Sequence, residues 1–354
     1  MPVTVVANTN TDDVSLERLR FIDIAGAPPF IVFDDLEEMK KRCQAAGVKS
    51  LIITGTSLRE SRNAVKLAKE HDFYATVGCH PTRSTDFDNH KDGGPEGYLH
   101  SLETLISSNL TGRGRVVALG ELGLDYDRTH HAPIEVQKKY FRMQLSLAKK
   151  YHLPMFLHSR AAHHDFVQIL TEEGFGTNGG RDVGGAGGVV HSFTGTAEEA
   201  QDYFERVLAK NTPKYRSSTR NSSSMDHVRN RYALQPQFFT PSFASPHVDA
   251  PWCSCTSTHA SKPYLNELPP NYRSVFFPPA TQPERFVMGK PVKGRNEPTA
   301  VGGVAWVVYC LHRNAREEAL ARGEQREEIP FWKIARKAYK NTIEVFKLQE
   351  LADA

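Results

Sequence analysis

Three apolar runs of this chain end on residues able to hold a cation. "VVALGELGLD" reaches Glu121, "LPMFLHSR" reaches His158 and "GGVVHSFTG" reaches His191. A short β-branched or aliphatic run reads as a buried strand, so a carboxylate or imidazole ending it is delivered to the boundary of the core. The three residues stand 37 and 33 positions apart, about one strand–helix unit each. That spacing puts them on adjacent parallel strands, whose carboxyl ends form the active face of an α/β barrel. One carboxylate and two imidazoles on one rim suit a divalent cation, with positions open for water or substrate and a water activated at neutral pH. A lone strand-end histidine is ordinarily a hydrogen-bonded structural residue, but three such endings in register favour a metal site. Asp125 and Asp127 in "GLDYDR" fit loop or helix-capping acids as well as a site. His163 and His164 in "RAAHHDF" fall inside a helix past the rim, where a solvated surface role is expected.

The elements that position these residues alternate. "RFIDI" (20–24), "SLIITG" (50–55), "FYATVG" (73–78), "VVALG" (116–120), "LPMFLH" (153–158) and "GGVVHSF" (187–193) are expected strands. Helices are expected over "FDDLEEMKKRCQAAG", "LRESRNAVKLAKEH" and "GYLHSLETLISSN", and over the stretch in which Val136, Tyr140, Met143, Leu147 and Tyr151 recur at helical spacing. Six such units predict a parallel sheet covered by helices, either a (β/α)8 barrel or an open doubly wound sheet. From Ala209 the pattern breaks. Residues 209 to 231 hold four apolar residues and six Lys or Arg against one Asp, the composition of a loop or disordered segment. Helical periodicity returns with Ile334, Ala338, Thr342 and Val345 on one face.

Composition narrows the classes. No apolar run approaches the roughly 20 residues of a spanning helix, and "MPVTVVANTNTDDVSLE" lacks the features of a secretory signal, so no membrane partner and no export are expected. Five scattered cysteines fit reduced intracellular thiols, in the cytoplasm, the nucleus or both, better than a disulfide framework. "WCSC" lacks a second pair at zinc-ribbon spacing. A net charge of +3 is compatible with a polyanionic substrate and too small to argue for one.

Eight ordered blocks carry a resemblance. "TVGCHPTRS", "VVALGELGLDYDR", "LPMFLHSR", "GGVVHSFTG", "DAPWC", "STHASKPYL", "KGRNEP" and "KNTIEVF" together resemble the TatD-type deoxyribonucleases, nearest to their eukaryotic branch, across most of residues 20–208 and 249–346. The resemblance implies a (β/α)8 TIM-type barrel that hydrolyses DNA phosphodiesters in exonuclease fashion, with one or two Mg²⁺ or similar ions. By position it implies that Glu121 binds or bridges metal, and that His158, His191 and Asp249 are ligands, with Asp249 also accepting a proton. His80 would face the scissile phosphate, Arg295 with Glu297 would support the carboxyl face, and His80 and Arg295 would bind the substrate. The implied arrangement is one barrel over 20–348, preceded by an extension (1–19), interrupted by an irregular segment (209–247) and followed by a tail (349–354).

Two departures qualify this. Ala27 stands where the family's first strand places a polar residue near the metals. "SPHVDAPWC" puts His247 in place of a glutamate, and the loop-like run before it replaces the seventh strand. The barrel is therefore expected to be imperfect there, and the chain a poorer nuclease than its relatives. Two competing functions remain: a hydrolase of small amides or esters on the same barrel, and a catalytically impaired product that binds nucleic acid through the basic 210–231 segment.

Overall fold

The computed structural model describes residues 16–26, 36–110, 115–191, 193, 195–203, 261–278 and 297–352. The strands are β1 (Phe21–Gly26), β2 (Val48–Ile53), β3 (Tyr74–Val77), β4 (Val116–Asp125), β5 (Met155–Arg160) and β6 (Gly188–His191). The helices are α1 (Leu36–Ala45), α2 (Leu58–His71), α3 (Thr85–Asp88), α4 (Gly94–Ser107), α5 (Ile134–Tyr151), α6 (His163–Glu172), α7 (Ala197–Tyr203), α8 (Lys262–Asn266), α9 (Pro270–Phe276), α10 (Val301–Ala321) and α11 (Phe331–Phe346).

All six strands are parallel and lie in sequence order, β1-β2-β3-β4-β5-β6. A doubly wound sheet reverses direction at a switch point, whereas a barrel adds each strand beside its predecessor. The observed order decides for the barrel, and the six strands form its curled half. Segments expected to carry the seventh strand, together with Ala27 and His247, lie outside the described residues.

Local sequence explains the elements. In α2, Ser57 accepts a hydrogen bond from the Glu60 N–H, and Leu58, Ser61, Ala64, Val65 and Ala68 form the buried stripe. The helix stops at Asp72, which adopts φ 61°. Its bounds match the expected "LRESRNAVKLAKEH". Side chains alternate along each strand. On β5, Met155 and Leu157 enter the helix-covered cluster with Leu119, Leu122 and Leu124, while Phe156 joins Ile22, Ile24, Ile52, Tyr74 and Val117 on the other face. Tyr339, Ile343 and Phe346 of α11 close that second cluster. Beyond α11, Glu350 accepts a hydrogen bond from the Tyr74 hydroxyl, which ties the chain's end to β3.

Two strands are longer than the sequence suggests. Glu121 and His158 do not end their strands, because β4 continues to Asp125 and β5 to Arg160. The apolar signal stops where inward side chains turn polar, but the backbone ladder continues while Leu122 and Leu124 still pack outward.

Candidate metal centre

His158 lies two residues past Phe156 and His191 two past Val189, so both imidazoles project from the face that carries the second cluster. They are also Cα partners in the β5–β6 register. Their spacing in sequence therefore becomes direct adjacency in the sheet.

Glu121 reaches the same point by a different device. In the β4–β5 register Gly120 opposes Phe156 and Leu122 opposes Leu157, which leaves Glu121 as the extra residue of a bulge. A bulge turns one side chain out of the alternation and aims it. The peptide before Glu121 is cis, and the flanking glycines have φ 141° (Gly120) and 144° (Gly123). Three buried hydrogen bonds hold the bulge. The Glu121 N–H donates to Gly55 O at 2.7 Å, Thr76 Oγ1 donates to Gly120 O at 2.5 Å, and the Gly55 N–H donates to Thr76 Oγ1 at 3.1 Å.

One carboxylate oxygen organises the centre. Glu121 Oε1 lies 2.7 Å from His191 Nε2, 2.9 Å from His158 Nδ1 and 3.6 Å from His80 Nε2. His158 Nε2 faces Asp125 Oδ2 at 3.2 Å. His80 is fixed from behind, since its Nδ1 accepts the Thr82 N–H at 3.2 Å and sits 2.8 Å from Thr82 Oγ1. An Nδ1 that accepts leaves the proton of a neutral ring on Nε2, facing Glu121.

The electrostatics follow from this packing. Burial pushes His80 down to about 4, against the pull of the Glu121 charge. Burial also lowers His158, but hydrogen bonds to Asp125 and Glu121 outweigh it and its net direction is up, since the ring lies between two carboxylates. Burial acts to raise Glu121, yet the charges of His191 and His80 with the bonds from His158 and His191 hold it well below the usual carboxylate range. Asp125 is likewise lowered, burial being outweighed by His158 and Arg128.

These donors fit a divalent cation. Ligand atoms of His80, Glu121 and His158 all lie within 4.8 Å of one another, and the three residues are buried. A carboxylate oxygen faced by several imidazole nitrogens is a mixed O/N set whose protons a cation can replace. His80, expected from the resemblance to face the phosphate, stands inside this compact group. His191 joins through its contact with Glu121 Oε1 and stacks on Phe156, with ring centroids 4.8 Å apart.

The remaining expected residues fall out as follows. Asp249 and Arg295 lie outside the described residues. Glu297 is held by Arg42 of α1 through two bonds of 2.8 and 2.9 Å, and none of its described hydrogen bonds goes to the centre. Asp127 is exposed, whereas Asp125 is fully buried against His158. After the bulge Gly123 and Asp125 fall on the inner face, and the two acids part because β4 ends at Asp125 and Asp127 lies in the 3-10 turn Tyr126–Arg128. His164 is exposed as expected. His163 corrects its expectation, since it opens α6 half-buried with Nε2 3.3 Å from Asp202 Oδ2. That pair is not part of the centre, so His163→Ala is expected to leave the kcat of DNA cleavage within about twofold of wild type. A loss comparable to that of a Glu121 variant would show that the centre is drawn too small.

Comparison with known proteins agrees with the geometry. The model of the family described as TatD related DNase matches residues 28–223. The chain is 36% identical over 316 residues to the protein named Deoxyribonuclease Tat-D of Schizosaccharomyces pombe, covering 86% of this chain and 93% of that one. This chain belongs to the TatD-related DNase family. A further TatD relative, named 3'-5' ssDNA/RNA exonuclease TatD in Escherichia fergusonii, is 36% identical over 170 residues, 47% of this chain and 56% of that protein. The TatD-family barrel also resembles the crystal structure of an uncharacterized amidohydrolase from Saccharomyces cerevisiae, with a TM-score of 0.65 over 92% of this chain and 99% of that one. At 23% identity that likeness concerns the fold alone. No helix among the described residues is long and apolar enough to cross a membrane.

Proposed function

We propose that this TatD-family chain is a metal-dependent deoxyribonuclease that hydrolyses DNA phosphodiester bonds exonucleolytically with Mg²⁺. The observation that carries the reading is the buried His80–Glu121–His158 group, extended by His191, at the carboxyl ends of β3 to β6 in a family member. The name of the Escherichia fergusonii relative supports the exonuclease reading.

Glu121, His158 and His191 would hold the cation, and Asp249 would complete the set as the resemblance implies. A divalent cation there supplies charge neutralisation at the phosphoryl oxygens and a more acidic water. His80, backed by Thr82, presents Nε2 to the reacting group from inside the centre. Asp125 fixes the ring of His158 through Nε2, the usual service of a carboxylate behind a ligating histidine. Arg160 lies two residues past His158 on β5, and its guanidinium makes no hydrogen bond or ion pair among the described residues, which leaves it for a substrate phosphate. The reading includes one barrel over 20–348 with the extension, irregular segment and tail expected from the sequence. It also places the protein inside the cell, in keeping with buried free thiols at Cys43, Cys79 and Cys310.

End-labelled DNA incubated with the purified chain tests this. Shortening of the labelled strand is expected with Mg²⁺ and none after EDTA. Cleavage of a small ester but not of DNA would favour the amide and ester alternative. Salt-sensitive DNA binding without any cleavage would identify the impaired product that the substitutions at Ala27 and His247 make conceivable.

A further inference from the structure

Two buried glutamines of α5 have no part in the chemistry above. Gln137 and Gln144 stand seven residues apart, two turns along one helix face, with relative exposures of 0% and 1%. Around them the same face is apolar, with Tyr140, Phe141, Leu145 and Ala148 all buried. An amide buried in such company costs stability unless its hydrogen bonds are made, so its partners show what it does there.

Each glutamine grips both backbone groups of a single residue. Gln144 Oε1 accepts the Cys79 N–H at 2.7 Å while its Nε2 donates to Cys79 O at 3.1 Å. Gln137 Oε1 accepts the Asp125 N–H at 2.8 Å and its Nε2 donates to Asp125 O at 3.0 Å. The second Nε2 proton of each is also placed, on Tyr140 O at 3.2 Å and on Ala132 O at 2.8 Å. Both donors of each amide are therefore used.

The residues so held border the centre. Cys79 directly precedes His80, and Asp125 carries the carboxylate that faces His158 Nε2. On the β3 side the ladder cannot supply this support, because β3 ends at Val77 and pairs with β4 only as far as Leu119, while on the other side Asp125 pairs with Arg160 of β5. Each side-chain amide takes the place of the missing strand neighbour.

We propose that Gln137 and Gln144 are positioning residues of the metal centre, Gln137 setting Asp125 against His158 and Gln144 setting the peptide that brings His80 to Glu121. The proposal rests on the metal-centre reading given above. Neither glutamine touches metal or substrate, so each acts through the residue it grips. Partners standing behind metal ligands typically change metal affinity or activity by about 10- to 100-fold when removed.

The test is Mn²⁺ binding to the full, metal-free chain by titration calorimetry, alongside kcat and KM on end-labelled DNA. Gln137→Met and Gln144→Met keep side-chain length and remove the amide. Each is expected to raise the Mn²⁺ Kd about tenfold or more and to lower kcat with little change in KM. Leu145→Ala, a cavity in the same buried face, controls for lost stability and should bind Mn²⁺ like wild type. In an Asp125→Ala background Gln137→Met should have no further effect on the Kd, while Gln144→Met should keep its own. If a methionine variant does not fold, Gln137→Glu or Gln144→Glu, which retains the acceptor and loses the donors, replaces it. Wild-type affinity in the glutamine variants, an equal loss in Leu145→Ala, or a Gln137 effect that persists without Asp125 would each overturn the proposal. A wild-type chain that binds no Mn²⁺ would instead refute the metal-centre reading itself, and this inference with it.

Discussion

Glu121→Ala is expected to lower DNA cleavage by about three orders of magnitude or more, roughly 4 kcal/mol of transition-state stabilisation. A single oxygen, Oε1, faces His191, His158 and His80. Its removal takes away the carboxylate of the described ligand group and one of the two acceptors that orient His158. The fold should survive. The centre sits at the carboxyl ends of the strands, above the apolar layer of Ile24, Ile52, Val117 and Phe156, and stability in a barrel resides in such layers. The imidazoles that faced Glu121 lose one buried acceptor, a cost of about 1–3 kcal/mol. Single-turnover cleavage at saturating Mg²⁺, with circular dichroism on the same samples, checks both halves. Cleavage within tenfold of wild type in a folded Glu121→Ala protein would remove Glu121 from the chemistry.

Gly123→Ala is expected to be the most damaging small substitution near the centre, at more than about 4 kcal/mol of stability, and to abolish cleavage. A Cβ at Gly123 would lie 1.9 Å from His158 O and 2.9 Å from His158 C, both backbone atoms that cannot rotate away. The φ of 144° is itself outside the range side-chain-bearing residues adopt readily. Relief requires β4 and β5 to part at the pair Gly123–His158, which displaces the imidazole from Glu121 and Asp125. Gly94→Ala provides the comparison. Its φ is 59°, but nothing lies within 4 Å of the added carbon, so a cost of about 1 kcal/mol is expected from backbone strain alone. Urea unfolding of the two variants measures the difference, and a Gly123→Ala protein as stable as Gly94→Ala would mean that the strands are not locked at this point.

By itself the sequence determined the periodic parts of this protein. Apolar runs and amphipathic stripes placed β1 to β6 and helices such as Leu58–His71 because burial imposes a period of two or of 3.6 on any chain that forms them. The spacing of His158 and His191 already specified neighbouring strands, and the ordered blocks specified the family. Strand order was not legible, since barrel and doubly wound sheets share the same alternation of elements; only the pairing of each strand with its predecessor decided it. Nor was the bulge that aims Glu121, because one extra residue in a ladder depends on the register of β5 and on hydrogen bonds from Thr76 and Gly55, which come from distant parts of the chain. Asp125 shared its motif with Asp127, and only the end of β4 at Asp125, followed by the turn Tyr126–Arg128, left one acid facing inward and the other in water. The roles of Gln137 and Gln144 were not legible in the sequence either, for a buried amide declares its purpose only through the backbone it meets across the fold.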